Sequence, residues 1–353
     1  MPHDYCPLAI MDLFNIFKYS HIDLRSEKEY DKGTIPNSVN IPILQNKEFE
    51  RVGKEYKLHG QDAAIDLGLR LVSGNIKESR IIDWENHINL NQGCSIFCYR
   101  GGLRSKLAQE WLLEKKIIVD RISGGYKKVR NKILEKYSEG GYCDKQWYIL
   151  GGLTGSGKTV LLNKFQHAID IEAIANHRGS AFGRTDTEQP SCANFENMLA
   201  FHYLNNKCSN VILEDESKTI GRATLPKTWY DKMQTSDLIV MDINIEERVH
   251  NIVNEYITLA LDQIKRPFLL RDHYLRALQR IQRRLGGELY KKISALVEDA
   301  FVENSLEKHE DWIHNLLNYY YDPMYNHKLD LRKKYIVHRG NYESCFDYIG
   351  SIK

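Results

Sequence analysis

The 353-residue chain contains no run of about 18 apolar residues, which excludes a membrane-spanning helix. Its opening stretch, residues 1–14, carries Asp4 and Asp12 and has no long apolar centre, so no signal peptide is expected. It has seven cysteines, Cys6, Cys94, Cys98, Cys143, Cys192, Cys208 and Cys345, but no CxxC pair. Zinc ribbons and iron–sulfur sites need such pairs, so no zinc, iron–sulfur or haem cofactor is expected. The odd count and irregular spacing argue against a disulfide framework and for a reducing, cytoplasmic setting. An excess of one charge is also missing: 49 basic residues face 47 acidic ones, a net of +2. That balance neither demands nor excludes nucleic acid, so the placement of charge has to decide. Hydrophobic residues make up 42%, too many for a disordered chain. A chain this long buries enough surface to fold without covalent staples, and two or three domains are expected.

Short strands and helices alternate through the first 135 residues. His21–Ser26 and Cys94–Cys98 read as strands, and the prolines of Lys32–Pro42 exclude a helix there. Ala63–Val72 reads as a helix. Leu103–Lys116 reads as an amphipathic helix with Leu103, Leu107, Trp111 and Leu112 on its apolar face. Residues 136–144 are polar and glycine-bearing and are taken as a linker. Residues 145–244 form a second alternating segment, with strands expected at Ser209–Ser217 and Asp237–Ile243. Residues 245–353 are expected to be helical and basic. The fold class is α/β in both halves, with a parallel sheet expected in the first.

Gly152-Leu153-Thr154-Gly155-Ser156-Gly157-Lys158-Thr159 matches the phosphate-loop pattern between an apolar strand and a helix. Gly152, Gly155 and Gly157 let the backbone curl so that its N–H groups face phosphate oxygens. Lys158 supplies a mobile charge, and Thr159 can hold Mg2+. The acidic partner is sought in Val211–Ser217, where Glu214, Asp215 and Glu216 are alternatives that strand alternation does not separate.

Cys98-Tyr99-Arg100-Gly101-Gly102-Leu103-Arg104 is the second signal. A cysteine ends an apolar strand, and a tight loop leads into a helix. Backbone N–H groups, Arg100 and Arg104 would favour a thiolate and cradle an anion on or near the sulfur, so covalent catalysis by Cys98 is expected, with Gly101 and Gly102 shaping the loop. Cys94 is read as core. On one strand its Cα would lie roughly 13 Å from that of Cys98, too far for a bridge, which needs about 7 Å or less.

Asp23–Pro42 together with Phe97–Ser105 resembles a rhodanese domain, a family that moves sulfur or selenium on a cysteine. A rhodanese-like α/β domain followed by a P-loop NTPase-like α/β domain with a mainly helical C-terminal region resembles the tRNA 2-selenouridine synthase family. Ala175–Gly183, Glu214–Arg222 and Arg266–Leu278 resemble it too. The resemblance implies exchange of the 2-thio sulfur of a wobble uridine for selenium, in tRNAs for lysine, glutamate and glutamine. It implies selenophosphate and geranyl diphosphate as co-substrates, an S-geranyl-2-thiouridine intermediate, and Cys98 in the selenium step. A selenophosphate-producing enzyme is an implied partner. Because no step in that scheme consumes ATP, the phosphate loop is assigned to geranyl diphosphate.

Lys265–Lys292 carries nine basic residues against Asp272 and Glu288. Arg276, Arg280, Arg283 and Arg284 fall at helical spacing and, with Arg271, are candidates for contact with a tRNA backbone. His177, Arg178 and Ser180 are candidates for substrate contact, and Trp229 for a prenyl pocket. The rival reading is a rhodanese-type sulfurtransferase fused to a nucleotide-dependent kinase or ATPase acting on small molecules.

Overall fold

The structure, a computed structural model, describes residues 13–140, 142, 144–178, 182 and 187–352. It divides into two compact units: residues 1–142 with 190–205, and residues 143–189 with 206–353.

Among the described residues the first unit holds four strands: β1 (His21–Asp23), β2 (Ser38–Asn40), β3 (Ser95–Phe97) and β4 (Asp120–Arg121). They pair in the order β2-β1-β3-β4, all parallel. Ile22, Ile96 and Phe97 are wholly buried, as expected for short strands covered on both faces. Trp84 and Trp111 stack with centroids 6.2 Å apart in the core beside the sheet. The helix after β3 runs Leu103–Glu114, and the expected apolar face is rotated: Ser105, Ala108, Trp111 and Leu112 are buried, whereas Leu103 is 44% exposed. The helix expected at Ala63–Val72 is the end of a longer one, Asn46–Leu71, broken at Gly60, where φ is +85°.

The second unit holds β5 (Gln146–Gly152), β6 (Ala168–Ile169), β7 (Asn210–Glu214), a small β8–β9 hairpin (Thr219–Ile220, Ala223–Thr224), β10 (Asp237–Met241) and β11 (Ile336–Gly340). Its main sheet runs β11-β10-β5-β7-β6, all parallel. The chain builds one side of β5 and then crosses to the other, so the loop after β5 lies where strand order reverses. In open parallel sheets that is where ligands bind. Two boundaries differ from expectation. Residues 190–205, placed by sequence in the second domain, carry a helix, Cys192–Asn205, that packs in the first unit. The C-terminal region, expected to be mainly helical, also supplies β11 to the sheet, because Ile336–Gly340 forms a ladder on β10.

Candidate functional site

In the first unit Cys98 directly follows β3 and is 3% exposed. Its Sγ lies 3.3 Å from Ser105 Oγ and 3.9 Å from the Gly102 carbonyl, facing the first turn of the following helix. The loop is locked by a second glycine turn. Tyr126 N–H donates to the Cys98 carbonyl and Lys127 N–H to that of Tyr99. A Cβ on Gly125 would come within 2.1 Å of the Cys98 oxygen, and one on Gly101 within 2.9 Å of Gly124 N, so only glycine permits this approach. Gly124 and Gly125 were missed as functional; their one signal was the Gly-Gly pair after a short strand. Arg104 forms a two-pronged pair with Glu29 (2.6 and 3.0 Å) while staying within electrostatic reach of Cys98. Burial opposes the charge on Glu29, but the Arg104 guanidinium and a Ser26 backbone bond hold its pKa below the ordinary value. Arg100 and Gly102 are exposed, with Arg100 over the Tyr99 ring.

In the second unit the phosphate loop curls between the end of β10 and the helix Ile245–Ile252. Gly152, Gly155 and Gly157 have φ of +151°, +82° and +81°. A Cβ on Gly155 would strike the Arg248 carbonyl and Ile252 at 2.7 Å. Arg248, 3% exposed, donates to the Thr154 carbonyl (3.2 Å) and pairs with Asp322 through both terminal nitrogens (2.9 and 2.7 Å). Asn251 donates to the Gly155 carbonyl (3.0 Å), and the Tyr325 hydroxyl bonds Thr154. Arg248 and Asn251 thus occupy the Thr154 and Gly155 carbonyls, while Tyr325 holds the Thr154 side chain. Lys158 Nζ lies 3.1 Å from the Gly152 carbonyl.

Thr159 Oγ1 is 3.5 Å from a Glu214 carboxylate oxygen. Glu214, Glu216 and Glu172 each bring a carboxylate oxygen within 4.8 Å of the others. Burial, with the neighbouring carboxylates, drives Glu172 and Glu214 well above the ordinary carboxylate pKa. Burial also raises Glu216, against the pull of Lys158. This donor set fits a hard divalent cation, which takes oxygen ligands and offsets the repulsion. Asp215 is used elsewhere: its carboxylate pairs with Arg332 at 2.5 Å, and Arg332 also donates to the Met233 carbonyl. Glu172, Arg248, Asn251 and Tyr325 carried no motif and were missed.

Beside the loop, Thr154 also lines a small aromatic cleft of about 40 Å³ with Tyr256, Tyr274, Trp312, Leu317 and Tyr321.

Comparison with known proteins follows this division. Residues 9–132 match the rhodanese-like domain model, and residues 145–353 match the model of the tRNA 2-selenouridine synthase AAA domain. The chain is 40% identical over 335 residues to the tRNA 2-selenouridine synthase of Sulfurovum sp. (strain NBC37-1), covering 91% of each chain. It is 39% identical over 342 residues to that of Shewanella sp. (strain ANA-3), covering 93% of each. The chain belongs to the tRNA 2-selenouridine synthase family.

The remaining candidates are placed as follows. His177 is half-buried against the β8–β9 turn. Burial, and then the nearby Arg280, lower its pKa. Arg178 pairs with Glu255 at 3.5 Å and lies over the Tyr256 ring, beside the aromatic cleft. Ser180 lies outside the described residues. Arg276, Arg280, Arg283 and Arg284 are exposed on the helix Pro267–Leu285, opposite the buried Tyr274, Ala277, Leu278 and Ile281. Arg271 pairs with Asp272. Trp229 is core, 2% exposed and edge-to-face with Trp147 at 4.8 Å, and does not line the aromatic cleft. Among the described residues no helix is long and apolar enough to cross a membrane.

Proposed function

We propose that the chain is a tRNA 2-selenouridine synthase that alkylates a wobble 2-thiouridine and then exchanges the alkylated sulfur for selenium. The observation that carries this reading is the adjacency, through Thr154, of a phosphate loop and an aromatic cleft. A diphosphate held by the loop would direct an attached hydrocarbon chain toward the apolar side chains lining that cleft, which suits geranyl diphosphate better than a nucleotide. The family named in the comparisons supports the tRNA substrate.

In the first step the thio sulfur bonds to C1 of the geranyl group as the C1–O bond breaks. The uridine N3 proton is lost, and diphosphate leaves. Lys158 and the loop N–H groups meet the charge that grows on the diphosphate, a stabilisation that is strong in a site closed to water. Thr159, Glu214, Glu172 and Glu216 would hold Mg2+, which supplies further charge neutralisation there. In the second step selenium from selenophosphate bonds to C2, and the C2–S bond breaks. Geranyl thiolate leaves and takes a proton, and water hydrolyses the P–Se bond to phosphate. Alkylation makes the sulfur a competent leaving group. Cys98, beside Ser105 and within electrostatic reach of Arg104, serves this step. The exposed arginines of the helix Pro267–Leu285 bind the tRNA backbone; the lysine, glutamate and glutamine tRNAs are the proposed acceptors. The proposed setting is the cytoplasm.

The test is nucleoside mass spectrometry on 2-thiouridine tRNA incubated with geranyl diphosphate and selenophosphate. Wild-type protein is expected to yield 2-selenouridine. Cys98→Ala is expected to stop at S-geranyl-2-thiouridine, and Lys158→Ala to lose at least 100-fold in both products. Unchanged tRNA in every sample, with folded protein, would favour the nucleotide-dependent sulfurtransferase reading.

A further inference from the structure

The first unit carries an apolar trough that the phosphate-loop chemistry does not use. It offers about 360 Å³ of space between the two arms of the helix broken at Gly60 and the helix that follows Cys98. Phe49, Val52, Tyr56 and Ala64 line one wall, and Leu103 and Leu107 the other. Gly53 and Gly68 also face it, which widens it. Tyr56, Leu69 and Leu103 are large apolar side chains left partly in water here, at 58%, 40% and 44% exposure. An exposed apolar concavity of this size marks a binding site more often than a packing fault.

Its position relates it to Cys98. Leu103, in the wall, and Ser105, 3.3 Å from the Cys98 sulfur, belong to the same first helical turn. Arg104 lies between them, lining the trough and within electrostatic reach of Cys98. Its guanidinium is already held two-pronged by Glu29. The trough therefore offers apolar contact with little spare charge for an anionic head, and its chemistry selects a neutral hydrocarbon chain.

We infer that this trough is a second hydrocarbon site, which holds the geranyl chain of the S-alkylated base while its sulfur is displaced at the Cys98 centre. The inference rests on the S-geranyl reading above. In that step the C2–S bond breaks as the C2–Se bond forms, and the geranyl thiolate, protonated by water, is the group the trough retains and releases. Burying the chain would orient the C2–S bond at the loop, and a shorter chain would reach fewer of the lining residues.

The test uses full-length protein and tRNA alkylated in advance on the 2-thio sulfur with geranyl or with dimethylallyl groups. Wild type with selenophosphate is expected to convert the geranyl tRNA at least tenfold faster. Val52→Trp, which fills the trough, should bring that ratio within twofold. Phe49→Ala, which lengthens it, should raise the rate on a farnesyl-bearing tRNA at least threefold. Thermal melts check that each variant folds. Direct binding of geranyl thiol, by equilibrium dialysis, should weaken at least tenfold in Val52→Trp. An unchanged chain-length ratio and unchanged thiol binding in folded Val52→Trp would overturn the trough assignment while leaving the S-geranyl reading intact. Wild type that converts 2-thiouridine tRNA but neither alkylated tRNA would overturn the S-geranyl reading and, with it, the role of the trough in turnover. Thiol binding lost in Val52→Trp would then still locate a hydrocarbon site in the trough.

Discussion

At the scale of single residues, the Cys98 centre depends on space that only glycine leaves. Gly125 sits at φ +56° with its Cα side against the Cys98 carbonyl. Gly125→Ala forces either a backbone shift or loss of the Tyr126-to-Cys98 bond, and strain of this kind costs about 1–3 kcal/mol. The expected outcome is a lower melting temperature for the first unit and at least a tenfold slower selenium step, with geranylation retained; melting curves and product analysis check both. The carboxylates around Thr159 give a second prediction. Their pKa values are raised in the folded state, chiefly by burial, so the folded chain binds more protons than the unfolded one. Stability from this cluster is full below the ordinary carboxylate value near 4.5 and is lost as pH rises above it. Without divalent cation, the melting temperature of the second unit should fall from pH 5 to pH 9. Mg2+ should reverse most of that fall, because it binds the ionised carboxylates. Glu214→Gln should reduce both the pH slope and the Mg2+ effect. Equal slopes in the two proteins would argue against the cluster as the cation site.

At the scale of elements, the helix Cys192–Asn205 shows how a segment can be claimed by a distant surface. Phe195, Leu199, Ala200 and Tyr203 are wholly buried on one side. Asn197, 1% exposed, donates to the Thr34 carbonyl (2.7 Å) and accepts from Arg130 (2.8 Å). Arg130 also pairs with Glu196, and Phe17 meets Phe201 edge-to-face at 5.6 Å. Asn197→Ala would leave a buried carbonyl and a guanidinium short of a partner, at about 1–3 kcal/mol. The first unit should unfold at lower urea concentration while phosphate-ligand binding in the second unit is unchanged; denaturation followed by near-ultraviolet circular dichroism reads this. The sequence showed this helix no obvious home, because its partners lie more than 50 residues upstream. The strands were easier to read. β3, β7 and β10 are short apolar runs bounded by polar turns, and each lies within its expected span. β11 was not legible: its half-exposed Ile336–Gly340 has the weak pattern of an edge strand, and only the ladder on β10 makes it one.

For the whole molecule, near-zero net charge conceals a basic helix. The arginines at 276, 280, 283 and 284 recur on one side because the opposite side supplies the core of the helical region. Replacing all four by alanine should weaken tRNA binding at least tenfold at low salt. It should also flatten the dependence of log affinity on log salt, by about 0.7–0.9 for each phosphate contact removed. Filter binding at several salt concentrations measures both. A salt slope equal to that of wild type would assign the stripe to solvent.

By itself the sequence determined two α/β units, a cysteine loop, a phosphate loop and the family. Each is encoded by contiguous residues whose backbone geometry is local: glycine at positive φ, an apolar strand before the loop, a helix after it. The tertiary structure decided what those loops face. It chose Glu214 over Asp215 beside Thr159, because the end of β7 delivers one carboxylate to the loop and the other to Arg332. It added Glu172 and the bracing residues Arg248, Asn251 and Tyr325, and it removed Trp229 to the core. It also set an apolar cavity beside each loop. Those groups meet across tens to hundreds of residues of chain, and contacts of that range are fixed by packing, which no local pattern records.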